Sequence, residues 1–306
     1  MSSRIRDIKF DFVKHRNKFF AISLALIVLG GLAIAIFGLN LGIDFSSGSR
    51  VDIQSDETLT TEEVSKEFEG LGLQPESVTL AGGGEIAVAA FKNELNKDEV
   101  AEIKNTFTDL YEIEPSISTV SPDVAVDLAK NAFIAVAIAS VGIILYVAIR
   151  FEWLQGFAAI VALFHDAFFI IAVFSILQIE VNITFIAAVL TIVGYSINDT
   201  IVTFDRIREN MKFEKKVKTF DDVARVVNKS LVQTLARSIN TVLTVVFAAT
   251  ALTIFGGEAI RPFAVALLIG LLAGTYSSIF IASQLWAVWK GKQLKKKKFS
   301  PVESEV

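Results

Sequence analysis

Apolar positions along this chain do not spread by period. They gather in six blocks, each long enough to cross a ~30 Å hydrocarbon core at about 1.5 Å per residue. The blocks run from Phe19 to Leu39, Asn131 to Ile149, Gly156 to Leu177, Ile183 to about Phe204, Arg237 to Phe255, and Phe263 to about Trp286. The pattern predicts a polytopic α-helical membrane protein with six transmembrane helices, and the block Phe19 to Leu39 reads as a retained first span because a signal-peptide core is only ~7–15 residues. Residues 1–18 interleave Arg4, Arg6, Lys9, Lys14, Arg16 and Lys18 with Ile5, Ile8, Phe12 and Val13, which predicts a short amphipathic helix on an anionic cytoplasmic surface.

Between the first two blocks, residues 40–127 change character. The pattern reads as strand Arg50 to Gln54, helix Thr61 to Leu71, strand Ser77 to Leu80, strand Glu85 to Phe91, helix Lys97 to Leu110 and strand Ser116 to Val120. Thr60 or Thr61 caps the first helix and Asn96 the second. The order β-α-β-β-α-β is the split ferredoxin-like plan, an α+β domain. Gly82-Gly83-Gly84 lacks the Lys-Ser/Thr of a phosphate loop and joins two strands, so it reads as a hairpin.

Charge sets the orientation. Lys and Arg concentrate before the first span, at Arg150, across Arg206 to Arg237 (read as a cytoplasmic loop, 207–236) and in the tail 290–306. The alternate loops are nearly free of them, and residues 40–127 carry acidic clusters at Glu62-Glu63, Glu67, Glu69 and Asp98-Glu99. The positive-inside rule then puts both termini in the cytoplasm and the ferredoxin-like domain outside, with Trp153, Trp286 and Trp289 in an interfacial belt. The 306 residues are 53% hydrophobic with mean hydropathy +0.55, and the net charge of −4 averages opposed regions without pointing to nucleic acid. The absence of Cys removes disulfide, thiol and thiolate-metal chemistry, and two histidines, His15 and His165, argue against a His-based metal site. No cofactor and no enzymatic activity are expected, and no GxxxxGK[ST] loop is present to hydrolyse a nucleotide.

What remains is charge inside the oil. Asp199 lies within the fourth block, where a carboxylate costs roughly 2.5 to 3.5 kcal/mol on insertion scales. Thr191, Tyr195, Asn198, Asp199 and Arg206 share one side of that helix, a polar seam in need of a partner. Arg237 opens the fifth block and continues into Asn240, Thr241 and Thr244, and the connection between the blocks puts it at a depth similar to that of Asp199. An ion pair or proton-linked pair follows, because burial favours a neutral carboxyl and a nearby Arg a charged one, so movement that alternates the two loads and releases a proton. His165 and Asp166, mid-way along the third block, form a polar pair that reads equally as a packing device or as part of proton movement. Asp44 reads as a turn acid, Gly270 to Gly274 as a small-xxx-small helix contact, and Asp205, Arg206 and Arg208 as a solvated helix end.

The motifs LGIDFSSG after the first span, RFEWLQGFAAIVALFHD, GYSINDTIVTFDRIREN and LARSINTVLT, in this order around an outer ferredoxin-like domain, resemble the SecF side of the SecD/SecF family of bacterial protein translocase subunits, within the resistance-nodulation-division superfamily. The resemblance covers nearly the whole chain. It implies a place in the bacterial inner (plasma) membrane, help from the proton motive force in completing export, partnership with SecD, the SecYEG translocon, YajC, YidC, membrane lipid and a translocating polypeptide, and Asp199 and Arg237 as proton-path residues, with sodium as the other coupling ion to consider. Ser46-Ser47-Gly48 stands where the family usually has Thr-Gly-Gly, and Val120-Ser121-Pro122 where it has Val-Gly-Pro. Two other readings stay open: half of a small-molecule or lipid exporter, and a structural assembly subunit whose buried charges set helix register.

Overall fold

A computed structural model describes residues 10–214, 217–257 and 259–299, the side chains of 296–299 excepted. Among the described residues, six helical segments are long and apolar enough to span a membrane. They are α1 (Arg16–Phe37), α5 (Pro122–Arg150), α6 (Trp153–Leu177), α7 (Ile183–Phe213), α8 (Phe220–Phe255) and the run Arg261–Lys295, built from α9 (Arg261–Ser277), a π turn (Ser278–Ala282) and α10 (Ser283–Phe299). Between α1 and α5 come α2 (Ile43–Ser46), β1 (Gly48–Gln54), α3 (Thr61–Gly70), β2 (Ser77–Ala81), β3 (Ile86–Phe91), α4 (Lys97–Tyr111) and β4 (Ser116–Val120).

The strands form one antiparallel sheet in the order β2-β3-β1-β4, the ferredoxin-like arrangement. Alternation decides its two faces: Val51 and Ile53 of β1 and Ala87, Ala89 and Phe91 of β3 point inward. There they meet Val64 and Phe68 of α3 and Ile103 and Phe107 of α4, each pair four residues apart on one helical face. Thr60 caps α3 and Asn96 closes a capping box on α4, as read from the sequence.

The other face of the sheet turns to the bundle. Arg50 reaches Glu180, in the α6–α7 connection, at 2.6 Å and Asp52 at 2.6 Å. Asp44 is more than a turn acid, since its carboxylate accepts from the Ile183 N–H at 2.8 Å and so helps cap α7 together with Asn182. Burial raises the Glu180 carboxyl above its ordinary value of 4.5, an effect that Arg50 opposes and Asp44 and Asp52 reinforce. A folded-state value above the unfolded one means that the proton favours the docked fold: the contribution is full below 4.5 and is lost as pH rises through the raised value. Melting of the wild type should therefore drop over that window relative to Glu180→Gln. A difference between the two that does not change with pH would contradict this assignment.

Ser47 sits at φ 61°, ψ 171°, a region that only glycine occupies comfortably, and its neighbour Gly48 at φ 116° has no room for a Cβ against the Phe91 carbonyl. Such a backbone costs about 1–3 kcal/mol on a residue with a side chain. Ser47→Gly is expected to stabilise the protein by about 1 kcal/mol after glycine's own entropy cost. A lower melting temperature would show that the serine is not strained.

Several boundaries differ from the sequence reading. Helix α5 begins at Pro122, inside the stretch read as the outer domain, because a proline at N1 starts a helix well before the apolar block does. The segment 207–236 is not a loop: α7 continues to Phe213 and α8 starts at Phe220, with Thr219 and Asp222 forming a capping box. Its charges lie on amphipathic helical extensions, with Ile207, Val223, Val227 and Leu231 buried. Asp205 and Arg208 are not simply solvated, since Asp205 pairs with Arg150 at 2.6 Å and Arg208 donates to the Arg150 carbonyl at 3.1 Å, tying α5 to α7. Trp286 belongs to the core at 2% exposure, donating to Glu152 at 2.8 Å, whereas Trp153 is exposed. Of the amphipathic helix expected over residues 1–18, residues 1–9 lie outside the described residues, residues 12–15 form a turn instead, and residues 16–18 already belong to α1. Phe12 and Val13 are buried beside Phe280 and Trp286, so this part tucks into the bundle. Of the basic tail, 300–306 also lie outside the described residues.

Candidate functional site

Helices α7, α8 and α9 do not close fully on one another, and Asp199 stands in the wall of the cavity they leave, about 130 Å³ in volume. That exceeds the ~10–15 Å³ needed to seat one water. Tyr195 and Asn198 line it from α7, Arg237 and Thr241 from α8, and Gly270 and Gly274 from α9. The glycines are why α7 and α9 approach so closely: a Cβ on Gly274 would lie 3.1 Å from that of Ser196, and one on Gly270 would press into Ile192. The small-xxx-small reading of Gly270 to Gly274 thus has its contacting helix.

Asp199 is held by a short hydrogen bond from the Ser238 hydroxyl to Oδ1, Oδ2 is buried, and Ser278 also approaches the carboxylate. Among the described residues no ion pair joins Asp199 to Arg237. The two side chains share the cavity, but Ser238 points at the carboxylate and Arg237, one residue and about 100° earlier on α8, stays at the exposed rim. Asn240 also departs from the expected face. It is exposed and does not line the cavity, whereas Ser238 is buried against Asp199 and Thr241, though exposed, lines the cavity wall. Thr191 bonds its own helix at the Ala187 carbonyl, and Arg206 pairs with Glu209.

His165 and Asp166 lie across from this cavity. Asp166 is 1% exposed, and its Oδ2 accepts from Ser196 of α7 at 2.6 Å and from Ser277 of α9 at 2.7 Å. His165 Nδ1 is 3.3 Å from Oδ1. One helical turn beyond Ser196, Thr200 meets Ser278 at 2.9 Å, where the π turn begins. The serines Ser196, Ser238, Ser277 and Ser278 are the groups that sequence reasoning missed. Their only signal was position: Ser196 is three residues from Asp199, and Ser238 adjoins Arg237.

Among the described residues no group of three or more His, Cys, Asp or Glu is arranged to hold a metal. The site offers a carboxyl held by one serine beside a small polar cavity between membrane-length helices.

Comparison with known proteins bears on the same helices. The family described as "Protein export membrane protein SecD/SecF, C-terminal" matches residues 100–292, and "SecD/SecF GG Motif" matches residues 32–58, which include Ser47 and Gly48. Protein translocase subunit SecDF of Bacillus subtilis is 55% identical over 289 residues, covering 94% of this chain and 39% of that one. Protein translocase subunit SecF of Alicyclobacillus acidocaldarius is 44% identical over 295 residues, covering 94% of this chain and 95% of its own. A crystal structure of SecDF from Thermus thermophilus, a translocon-associated membrane protein, superposes with TM-score 0.83 at 34% identity, over 93% of this chain and 39% of that one. The chain therefore spans about two fifths of the SecDF relatives and nearly all of the SecF relative. With six apolar helices around an antiparallel α+β domain and this likeness to membrane-embedded relatives, it is a multi-pass membrane protein of the SecD/SecF protein-export family.

Proposed function

We propose that this chain is an accessory subunit of protein export that works with a SecD partner to convert the proton motive force into completed translocation of proteins across the cytoplasmic membrane. The observation that carries the reading is Asp199: a carboxylate within a membrane-length helix, held by Ser238, at a cavity that Arg237 also lines. A carboxyl retained at such cost among apolar helices argues for function. Transmembrane potential supplies about 2.3 kcal/mol per charge per 100 mV, enough for a few protons to drive a domain movement.

The protein lies in the bacterial inner membrane with both termini cytoplasmic and the sheet domain outside. Its partners are SecD, the SecYEG translocon, YajC and YidC, and the polypeptide leaving the channel. Length supports SecD: this chain covers about two fifths of relatives named SecDF. The proton is the coupling ion, and sodium is the competitor to be tested against it.

The test is translocation of a secretory precursor into vesicles that hold the translocon with and without this chain and SecD. The extra translocation due to the pair should disappear when an ionophore collapses the proton gradient, and should survive removal of sodium. An increment that persists without any gradient would overturn the reading.

A further inference from the structure

The Asp166 carboxylate takes no part in the reading above, yet it stands one hydroxyl away from the Asp199 cavity. It is out of water and satisfied from two other helices: Ser196 donates at 2.6 Å and Ser277 at 2.7 Å, themselves 3% and 0% exposed. A serine hydroxyl has one proton to give. That of Ser196 is committed to Asp166, so toward the cavity it lines Ser196 can offer only lone pairs. Ser196 precedes Asp199 by three residues and occupies the same side of α7. On the far side of Asp199, Thr200 pairs with Ser278 of the π turn, so two polar rungs from α7 to the α9 end bracket the carboxyl.

We infer that Asp166 is the positioning residue of the proton site: by claiming the Ser196 hydroxyl proton it fixes that oxygen as a hydrogen-bond acceptor facing the cavity, and so sets the direction in which hydrogen bonds run between the cavity and Asp199. A hydroxyl free to rotate could donate to the cavity as readily as accept. With Asp166 in place it only accepts, which favours a proton-bearing group arriving beside Asp199. The inference rests on Asp199 being the proton carrier. Titratable and charged groups near the cluster are His165 on α6, Tyr195 and Asp199 on α7, Arg237 on α8 and Tyr276 on α9. Helix α1 contributes Ser23, 3.1 Å from the Tyr276 hydroxyl.

The test is proton flux as a function of pH in vesicles holding the complex of this chain with SecD, for Asp166→Ala, Ser196→Ala and the double variant, with Asp166→Asn as the control that keeps an acceptor oxygen. Asp166→Ala is expected to lower flux about tenfold, the size of one charge-assisted hydrogen bond, and to move the pH midpoint, while Asp166→Asn, whose amide oxygen still accepts from Ser196, should lie closer to wild type. Ser196→Ala should move the midpoint in the same direction and leave Asp166 its bond from Ser277. Because both act through one hydroxyl, the double variant should lie within about twofold of the stronger single one. Should Asp166→Ala fail to assemble, Ser196→Ala alone decides, since its midpoint must shift. Additive effects, or midpoints unchanged in variants that lose only protein level, would overturn the inference and leave Asp199 untouched. Flux that survives in Asp199→Asn would instead remove the reading beneath it.

Discussion

Replacing Asp199 with asparagine is expected to remove the chain's contribution to export while its level in the membrane stays normal. The amide is isosteric and still accepts from Ser238, so the α7–α8 contact seen here persists. Burying a neutral group also relieves a cost of roughly 2.5 to 3.5 kcal/mol, so the variant should fold at least as well. Proton exchange at this position is then the one property lost. Pulse-chase measurement of a secreted precursor, divided by the amount of complex, should fall at least about tenfold, as for any step stripped of its proton carrier. Normal export per complex would mean that the buried carboxyl serves packing, and the assembly-subunit reading would take its place. A drop in complex level with activity per complex unchanged would say the same.

A second large effect is expected at Gly270. A Cβ there would meet Ile192 Cγ1 at 2.6 Å and Cγ2 at 2.7 Å, and Ile192 is a β-branched residue at 1% exposure with little freedom to give way. Gly270→Leu should separate α9 from α7, at a cost of about 1–3 kcal/mol or more for overpacking. Ser196 and Asp199 ride on the displaced face of α7, so flux should fall along with stability. Gly142, on α5, has nothing within 4 Å of its Cβ position. Gly142→Ala should then be neutral, or stabilising by up to about 1 kcal/mol through helix propensity. Thermal melting of the purified protein separates the two, and equal behaviour of both variants would refute the α7–α9 packing described.

Elements with a local cause were legible in the sequence. The strands and helices of the sheet domain follow from alternation, four-residue spacing and the caps Thr60 and Asn96, and their ends lie within two residues of expectation. The six spans were legible from apolar length alone. Their extensions were not, because an amphipathic helix projecting beyond the lipid, such as 220–236, carries as many charges as a loop, and only its buried Val223, Val227 and Leu231 betray it. At the site, charges announced themselves and their partners did not. Asp199 and Arg237 stand out in an apolar block, and both line the cavity. Ser238, Ser196 and Ser277 look like ordinary small residues of membrane helices until the neighbouring helix is in place. Of the ion pair or proton-linked pair expected, no direct ion pair is seen among the described residues, although the two side chains share the cavity: a shared depth was readable, but the 100° between Arg237 and Ser238 mattered only once the orientation of α8 was known.

Infrared difference spectroscopy on energised vesicles holding the complex with SecD tests most directly whether Asp199 gains and loses a proton during turnover. A protonated-carboxyl band should appear and vanish as the membrane is energised and relaxed, and should be missing in Asp199→Asn. A spectrum with no such band, or one in which the band survives that substitution, would contradict the account.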